Sequence, residues 1–226
     1  MNNEEIKNND NIGLWAQIKE DFNVPKQNDP ALNSTLELIF NYPGVWAIIN
    51  YRIANKLYTK NFKILSRIIM GLTQFLCNMD IHPGCTIGRR VFIDHGIGVV
   101  IGQTAIVEND VLIYQGVTLG GVSLNKGKRH PTIKANSVIG SGAKVLGNIT
   151  MGKNSRIGAN SVVICDVPKN STAVGVPAKI IKRGCKNSKL NHADLPDINK
   201  EMFEYLLKRV AILEHALKKH DGIDIS

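Results

Sequence analysis

A histidine and an aspartate lie at a spacing that could support proton transfer. His95 stands in the segment Ile93-Asp-His-Gly-Ile-Gly98, and Asp80 comes fifteen residues before it. A carboxylate that holds one imidazole nitrogen leaves the other free to accept a proton near neutral pH. Asp80 and His95 are therefore candidates for a general-base pair, with a purely structural pair as the alternative.

Two further histidines fall in the same part of the chain. His82 follows Asp80 closely, and His130 lies beside Arg129 in a basic, glycine-rich stretch. Three histidines are enough to bind zinc in some proteins, so a metal site is one alternative. Because the set lacks a closely spaced histidine pair, we predict that no metal is bound.

The scaffold that must position these residues shows a period of six. Between 80 and 182 an aliphatic residue recurs at every sixth position within three series, often with glycine directly after it. Those positions are Ile81, Ile87, Ile93, Ile101, Val107, Ile113, Leu119, Ile133, Ile139, Val145, Met151, Ile157 and Val163. A period of six predicts a short strand and a turn, stacked as a parallel β-helix. A sandwich of alternating strands is the alternative.

Two breaks in the period mark places where function could lie. Ile93 and Ile101 are eight apart, which is two more than six, and His95 falls between them. Leu119 and Ile133 are fourteen apart, two more than twelve, and the polar residues between them predict an extruded loop over 120–132. Loops on rigid scaffolds commonly carry function. A coil of three hexads takes about eighteen residues, so Asp80 and His95 could meet on adjacent coils.

Helices are predicted on both sides of the repeat. Residues 1–79 show apolar positions at helical spacing and predict a small helical N-terminal domain. Residues 183–226 predict a tail with one amphipathic helix, which could cap the open end of the β-helix. The three predicted domains are therefore 1–79, 80–182 and 183–226.

Composition narrows the class of partner. The chain of 226 residues carries a formal net charge of +9, but only 6% of its residues are aromatic, which disfavours a single-strand nucleic-acid platform. An anionic small molecule suits the basic charge better. The polar, acidic start and the short apolar stretches predict neither a secretory signal nor a membrane span. The four scattered cysteines favour reduced thiols, and we expect a cytoplasmic protein.

Four motifs together resemble the serine O-acetyltransferase family, and the resemblance is closest to its shorter bacterial members. They are Asp80-Ile-His-Pro-Gly84, Ile93-Asp-His-Gly-Ile-Gly-Val-Val-Ile-Gly102, Gln115-Gly-Val-Thr-Leu-Gly-Gly121 and Gly127-Lys-Arg-His-Pro-Thr-Ile133. The resemblance implies a left-handed β-helix, mainly β with flanking α-helices. It also implies transfer of an acetyl group from acetyl-coenzyme A to the hydroxyl of L-serine, which gives O-acetyl-L-serine for cysteine biosynthesis.

The resemblance assigns a role to each candidate residue. His95 would be the general base and Asp80 would orient it, while Asp29 and Asp94 would hold the substrate ammonium. Arg129, with His130 beside it, would bind the substrate carboxylate, which a planar guanidinium fits well. Contacts to acetyl-coenzyme A would come from Ala159, Ser141, Gly120, Gly121 and Lys179, with Lys182 and Arg183 near the phosphates.

The resemblance also bears on partners. A short helical N-terminus favours a homotrimer with active sites between chains over a hexamer, and L-cysteine is expected to inhibit by taking the serine site. Several relatives end in isoleucine, which enters O-acetylserine sulfhydrylase. This chain ends in Ser226, which makes that partnership doubtful. The alternatives are a hexapeptide acyltransferase for another hydroxyl or amine acceptor, and a non-catalytic β-helix that serves as an assembly module.

Overall fold

The structure is a computed structural model that describes residues 12–181 and 204–214. In the described part of the chain five helices precede the repeat, and each has a proline, glycine or asparagine at or next to one of its ends. Their bounds are α1 Leu14–Asn23, α2 Pro25–Asn28, α3 Glu37–Phe40, α4 Pro43–Thr59 and α5 Lys63–Cys77. Pro25 and Pro43 stand in the first turns of α2 and α4, where a missing N–H costs nothing. Asn78 ends α5 in the left-handed conformation.

Fifteen short strands follow the helices in the described part of the chain. They are β1 Asp80–Ile81, β2 Thr86–Ile87, β3 Phe92–Ile93, β4 Val100–Ile101, β5 Ile106–Val107, β6 Leu112–Ile113, β7 Thr118–Gly120, β8 Thr132–Ile133, β9 Val138–Ile139, β10 Lys144–Leu146, β11 Thr150–Met151, β12 Arg156–Ile157, β13 Val162–Val163, β14 Thr172–Gly175 and β15 Ala178–Ile181. From β1 to β13 successive strands belong to three different sheets in rotation, so the chain coils as a triangular prism, and β14 and β15 then extend the third sheet.

The three sheets are parallel and stack one strand per coil. Sheet A has the order β1-β4-β7-β10-β13, sheet B has β2-β5-β8-β11, and sheet C has β3-β6-β9-β12-β14-β15. Only β15 is antiparallel to its neighbour β14. The coil is a left-handed parallel β-helix, which confirms the predicted fold class.

Every aliphatic position of the predicted period points into the prism. All thirteen residues from Ile81 to Val163 are buried, with no more than 5% of their surface exposed. Small residues four positions later, such as Ser137, Ser155 and Ala143, are buried as well. The period therefore predicted the core residue by residue, because each inward side chain stacks on its equivalent in the next coil.

The two breaks in the period differ in size. Asp80 aligns with Val100, so the first coil is two residues longer than eighteen. Ile106 aligns with Thr132, and β7 leads directly to β8 on the next side of the prism. The separation of fourteen positions from Leu119 to Ile133 is therefore one six-residue step with eight residues added, rather than two steps with two added. All eight additions belong to the loop.

A buried ion pair anchors the helices to the coil. Arg52 of α4 donates to Asp21 of α1 at 2.9 Å and to the carbonyl of Gly88 at 2.6 Å, and it also donates to the carbonyl of Ile87. Burial raises the pKa of Asp21, while Arg52 opposes the rise. Removing one partner of such a pair typically costs about 3–5 kcal/mol. The helical layer is therefore fixed where it meets β2.

A further helix, α6, covers 204–214 in a separate unit of the chain, and its side chains are exposed. It agrees with the C-terminal helix predicted from the sequence. The remaining residues of the predicted tail, and with them the predicted cap of the β-helix, lie outside the described residues. The three predicted domain boundaries stay predictions. In the described ranges no helix combines the length and the apolar character that crossing a membrane requires.

Candidate active site

His95 lies on a bulge at the corner where sheet C turns into sheet A. Its φ is +58°, and 70% of its side chain is exposed. The N–H of Gly98 donates to Asn78 on one side, and the N–H of Gly116 donates to Ile97 on the other, both at 2.8 Å. The two extra residues of this coil therefore lie within the segment 94–98, which we call the His95 bulge. The extra length presents the imidazole to solvent.

Two carboxylates, Asp29 and Asp94, lie beside the bulge. We call these two residues together with His95 the acidic corner. Asp94 Oδ2 lies 4.0 Å from His95 Nε2. Asp29 accepts hydrogen bonds from the N–H of Ala31 at 2.8 Å and from the hydroxyl of Tyr42 at 2.6 Å. Burial, together with the nearby charge of Asp29, raises the pKa of Asp94, and His95 opposes the rise. The corner is therefore negative and ready for a cation.

The helical layer brings Asp29 to the coil through a close contact. A Cβ at Gly44, in the first turn of α4, would lie 2.1 Å from the carbonyl oxygen of Ile93. Glycine is required there, because it allows α4 to start directly against β3. Tyr42 precedes this turn and holds Asp29. Burial and the charge of Asp29 raise the pKa of the Tyr42 phenol, so it stays a donor to Asp29.

Arg129 and His130 lie at a different corner, where sheet A turns into sheet B. His130 is only 7% exposed, and its Nδ1 lies 2.8 Å from Thr104 Oγ1. The same hydroxyl oxygen accepts the N–H groups of Arg129 at 3.0 Å and His130 at 3.2 Å. With both N–H groups donating to it, the Thr104 hydroxyl is left to donate to Nδ1, and His130 is assigned as the Nε2–H tautomer. We call Gly102, Thr104, Arg129 and His130 the basic corner.

The 120–132 loop folds back onto the coil at the basic corner. A Cβ at Gly102 would lie 2.0 Å from His130 Cδ2 and Nε2, so the imidazole packs directly on the glycine. Lys128 Nζ donates to the carbonyl of Thr104 at 2.7 Å. Burial and the charges of Arg129 and Lys128 lower the pKa of His130. The loop tip is exposed from Gly121 to Lys128, but its base is held in place.

Asp80 lies between the two corners and makes no ion pair with His95. Its N–H donates to the carbonyl of Val99 at 2.9 Å. Asp80 therefore begins β1, which pairs with β4, the strand that follows the His95 bulge. Within 12–181 and 204–214, the carboxylate that lies within 4.0 Å of His95 belongs to Asp94 rather than Asp80. Burial and the charge of Arg67 lower the pKa of His82, and the charge of Asp80 opposes this lowering. The structure thus places Asp80 on the neighbouring coil, as the spacing suggested, without the predicted contact.

Two of the residues predicted to contact acetyl-coenzyme A follow the corner of His95. The N–H of Gly142 donates to Gln115 and that of Asn160 donates to Ser141, both at 2.8 Å, so Gln115, Ser141 and Ala159 occupy equivalent positions on successive coils. Gly120 ends β7, and Gly121 begins the loop beside Arg129 and His130. Lys179 is exposed on β15, and Lys182 and Arg183 lie outside the described residues.

Histidines do not gather into a metal site in the part of the chain that the structure describes. No group of three histidine, cysteine, aspartate or glutamate side chains there could hold a metal ion. His82 and His130 lie near the basic corner, whereas His95 lies at the acidic one.

Comparison with known proteins decides the family. A model of the bacterial transferase hexapeptide (six repeats) matches residues 130–165. A serine acetyltransferase of Bacillus subtilis (strain 168) is 48% identical over 207 residues, which cover 91% of this chain and 95% of the relative. The chain belongs to the serine acetyltransferase family. Membership confirms the family resemblance and the enzymatic activity predicted from the motifs, acetyl transfer from acetyl-coenzyme A to serine.

Solved structures of serine acetyltransferases agree with this assignment. One in complex with cysteine has a TM-score of 0.75 and 40% identity, and the match covers 82% of this chain and 72% of that one. Another in complex with CoA has a TM-score of 0.70 and 40% identity, with 79% and 73% covered.

Sequence reasoning missed three polar residues that the structure places at the corners. Tyr42 holds Asp29, and Thr104 holds both Arg129 and His130. Tyr114 faces the acidic corner, since the charges of Asp94 and Asp29, after burial, raise the pKa of its phenol. Tyr42 was recognisable only as a helix boundary beside Pro43. Thr104 and Tyr114 lie in ordinary hexads and give no signal in one sequence.

Proposed function

We propose that His95 is the general base of a serine O-acetyltransferase, with the substrate ammonium held between Asp94 and Asp29. The observation that carries this proposal is the acidic corner, where an exposed imidazole stands 4.0 Å from a half-buried carboxylate. Carboxylates whose pKa is raised by burial gain from the arrival of a cation, which offsets their desolvation. The family relationship supports serine as the acceptor.

The reaction requires only one proton carrier from the protein. His95 accepts the proton of the serine hydroxyl while the oxygen attacks the thioester carbonyl. The new bond joins the serine oxygen to the acetyl carbon, and the carbon–sulfur bond breaks. The proton then passes from His95 to the departing thiolate of CoA. Asp80, on the adjacent coil, would stabilise the imidazolium once the ring turns towards it.

The position of Arg129 supports a site shared between copies of the chain. The strand that runs from Gly98 to Gly102 separates the acidic from the basic corner, a distance of about 13 Å at 3.3 Å per residue. A single serine cannot reach from one corner to the other. If copies pack side by side around a threefold axis, the basic corner of one meets the acidic corner of the next.

An exposed apolar stripe on α5 supports the same homotrimer. Six of its side chains are between 48% and 86% exposed in the single chain, more than an isolated protein usually shows in one place. They are Ile64, Leu65, Ile68, Leu72, Phe75 and Leu76. Contact between copies would cover them.

Mixing two inactive variants tests the shared site. His95→Ala lacks the base and Arg129→Ala lacks the carboxylate clamp, so each alone should be nearly inactive. In a mixed trimer, one of the three sites combines an intact His95 with the intact Arg129 of the neighbouring copy. Random mixing at equal amounts should restore about a quarter of wild-type activity, measured as CoA thiol released with serine.

The double variant His95→Ala/Arg129→Ala mixed with wild type in equal amounts is the control: about a quarter of wild-type activity should remain if sites are shared, and about half if each chain builds its own. No recovery in mixed trimers, confirmed as mixed by mass spectrometry, would show that each chain builds its own site. If wild type itself released no thiol with serine, the proposed function would be wrong.

L-cysteine is proposed to inhibit by occupying the serine site. A solved relative is in complex with cysteine. Cysteine has the same ammonium and carboxylate as serine, so Asp94, Asp29 and Arg129 should bind both ligands. Inhibition should be competitive with serine, and Arg129→Ala should weaken both together. If Arg129→Ala loses serine affinity but keeps full cysteine sensitivity, a separate cysteine site exists.

Acetyl-coenzyme A is proposed to run along the corner marked by His95, Ser141 and Ala159, with Lys179 further along its path and with Gly120 and Gly121 contributed by the basic corner of the neighbouring copy. From β3 to β14 this corner crosses four strand spacings, roughly 19 Å. That length suits an extended pantetheine arm. A cytoplasmic location and the doubtful link to O-acetylserine sulfhydrylase stay predictions of the sequence, and Ser226 lies outside the described residues.

A further inference from the structure

Gln115 carries a buried oxygen without a partner. The residue as a whole is only half-buried, but in the single chain its side-chain Oε1 is covered and accepts no hydrogen bond from the residues described. An amide oxygen left in this state costs free energy, so native proteins almost always pair it. The position of the residue suggests which molecule supplies the missing donor.

The backbone places Gln115 directly opposite the His95 bulge. Ile93 aligns with Ile113, and the N–H of Gly116 donates to Ile97. Gln115 is therefore the residue of its coil that faces the extra length of the bulge. On its other side lies Ser141, whose equivalent on the next coil is Ala159. Gln115 stands one coil beyond the general base, on the way to the proposed pantetheine path.

One coil step matches a distance in the acyl donor. Adjacent strands are about 4.8 Å apart, which sets the spacing between the coil that carries the His95 bulge and the coil that carries Gln115. In an acyl-pantetheine thioester, two methylenes separate the sulfur from the first amide nitrogen, a distance of about 4 Å. If the thioester carbonyl sits at His95, this amide N–H reaches the coil of Gln115.

Serine is a poorer partner for this oxygen. In the proposed site the ammonium of serine already has two carboxylate partners, Asp94 and Asp29. An amide oxygen would repel the carboxylate of serine. Gln115 also lies on the opposite side of the bulge from Asp80 and α5. On the side of Asp80 and α5 the N–H of Gly98 donates to Asn78, and on the side of Gln115 the N–H of Gly116 donates to Ile97.

We propose that the terminal amide of the half-buried Gln115 side chain turns towards the surface when the acyl donor binds, and that its oxygen then accepts a hydrogen bond from the amide N–H nearest the thioester. This role rests on the proposed function, because it requires an acyl thioester with its carbonyl at His95. Gln115 then positions the thioester and selects donors that carry an amide two methylenes from sulfur.

Two small donors that differ in one group test the proposal. S-Acetyl-N-acetylcysteamine keeps the amide, and 2-(acetylthio)ethyl acetate replaces its N–H with an ester oxygen. Wild type should prefer the amide donor in kcat/KM by about three- to tenfold, the effect of one neutral hydrogen bond. Gln115→Met, which keeps the length of the side chain but removes the acceptor, should lose that preference. It should also raise the KM for acetyl-coenzyme A by a similar factor.

Controls separate this role from a structural one. Gln115→Glu keeps an acceptor oxygen at the site and should retain the preference. Gln74→Met makes the same chemical change at an exposed position on α5 and should behave as wild type. The KM for serine should stay unchanged in Gln115→Met.

The outcomes distinguish the two levels of the proposal. An undiminished amide preference in Gln115→Met, or a rise in the KM for serine in place of that for the donor, would overturn the role of Gln115 alone. A wild type that cannot transfer acetyl from acetyl-coenzyme A to serine would overturn the function on which it rests.

Discussion

The acidic and basic corners are both made by lengthening the coil, but they are stabilised in different ways. At the acidic corner two added residues leave His95 exposed in a left-handed conformation that the main-chain bonds of Gly98 and Gly116 enforce. At the basic corner eight added residues fold back, and His130 is buried against Gly102 and bonded to Thr104. A short addition can present a reactive group, whereas a long one needs side-chain contacts to hold its shape.

Removing the base at the acidic corner should have the largest effect. His95→Ala should lower kcat by about a hundred- to ten-thousandfold, as expected for losing a general base. The side chain is exposed, so folding and assembly should be unaffected. Steady-state rates and sedimentation check both points. Near wild-type turnover in the folded variant would rule out His95 as the base.

Asp80→Asn should reduce the rate less than His95→Ala does. Asparagine keeps the shape of Asp80 but cannot stabilise an imidazolium, so we expect a loss of roughly ten- to a thousandfold in kcat. The pH dependence of kcat should change along with its magnitude. An unchanged rate at every pH would show that Asp94, which is already 4.0 Å from His95, is the carboxylate that matters.

Adding one methyl group should disturb the basic corner. Gly102→Ala would place a Cβ 2.0 Å from the His130 ring, so the loop base must shift. Overpacking of this kind costs about 1–3 kcal/mol, and the KM for serine should rise about five- to a hundredfold. Gly13→Ala is the control, because no atom lies within 4 Å of its added Cβ and activity should be retained. An unchanged KM in Gly102→Ala would mean that the loop base does not position the serine site.

The pH dependence of serine binding should show the smallest effect. Asp94 binds an ammonium only when it is ionised, and burial raises its pKa above the ordinary value of about 3.9. As the pH falls through this raised pKa, Asp94 takes up a proton and the KM for serine should rise earlier than for an ordinary aspartate. In Asp94→Asn the KM should be high and insensitive to pH in this range. Rates at several serine concentrations and pH values separate this effect from that of His95 on kcat.

The sequence predicted the fold closely because the coil repeats. Each inward position from Ile81 to Val163 follows from a period that depends only on neighbouring residues, and all of them are buried. The length of the second insertion was harder to assign, since a separation of fourteen positions between Leu119 and Ile133 fits either one step or two. Only strand pairing, with Ile106 next to Thr132, shows that it is one step.

The candidate site was less predictable because it depends on contacts between distant segments. His95 was found from its position at a break in the period, and the structure places Asp94 and Asp29 near it, as the family resemblance implied. The hydrogen bond from Tyr42 to Asp29 links residues thirteen apart through a loop without periodicity. Gln115 stands in a regular hexad, and only its buried, unpaired oxygen distinguishes it.

The placement of the eight-residue insertion at a corner bears on how such enzymes could change their acceptor. Closing a loop of eight residues costs roughly 2 kcal/mol of chain entropy, and doubling its length adds only about 0.6 kcal/mol. The strands on either side, β7 and β8, keep their register with their neighbours. Under the role proposed for Arg129, acceptor selectivity can therefore be changed by exchanging residues 122–131 of this segment, while the stacked interior and the corner of His95, Ser141 and Ala159 stay as they are.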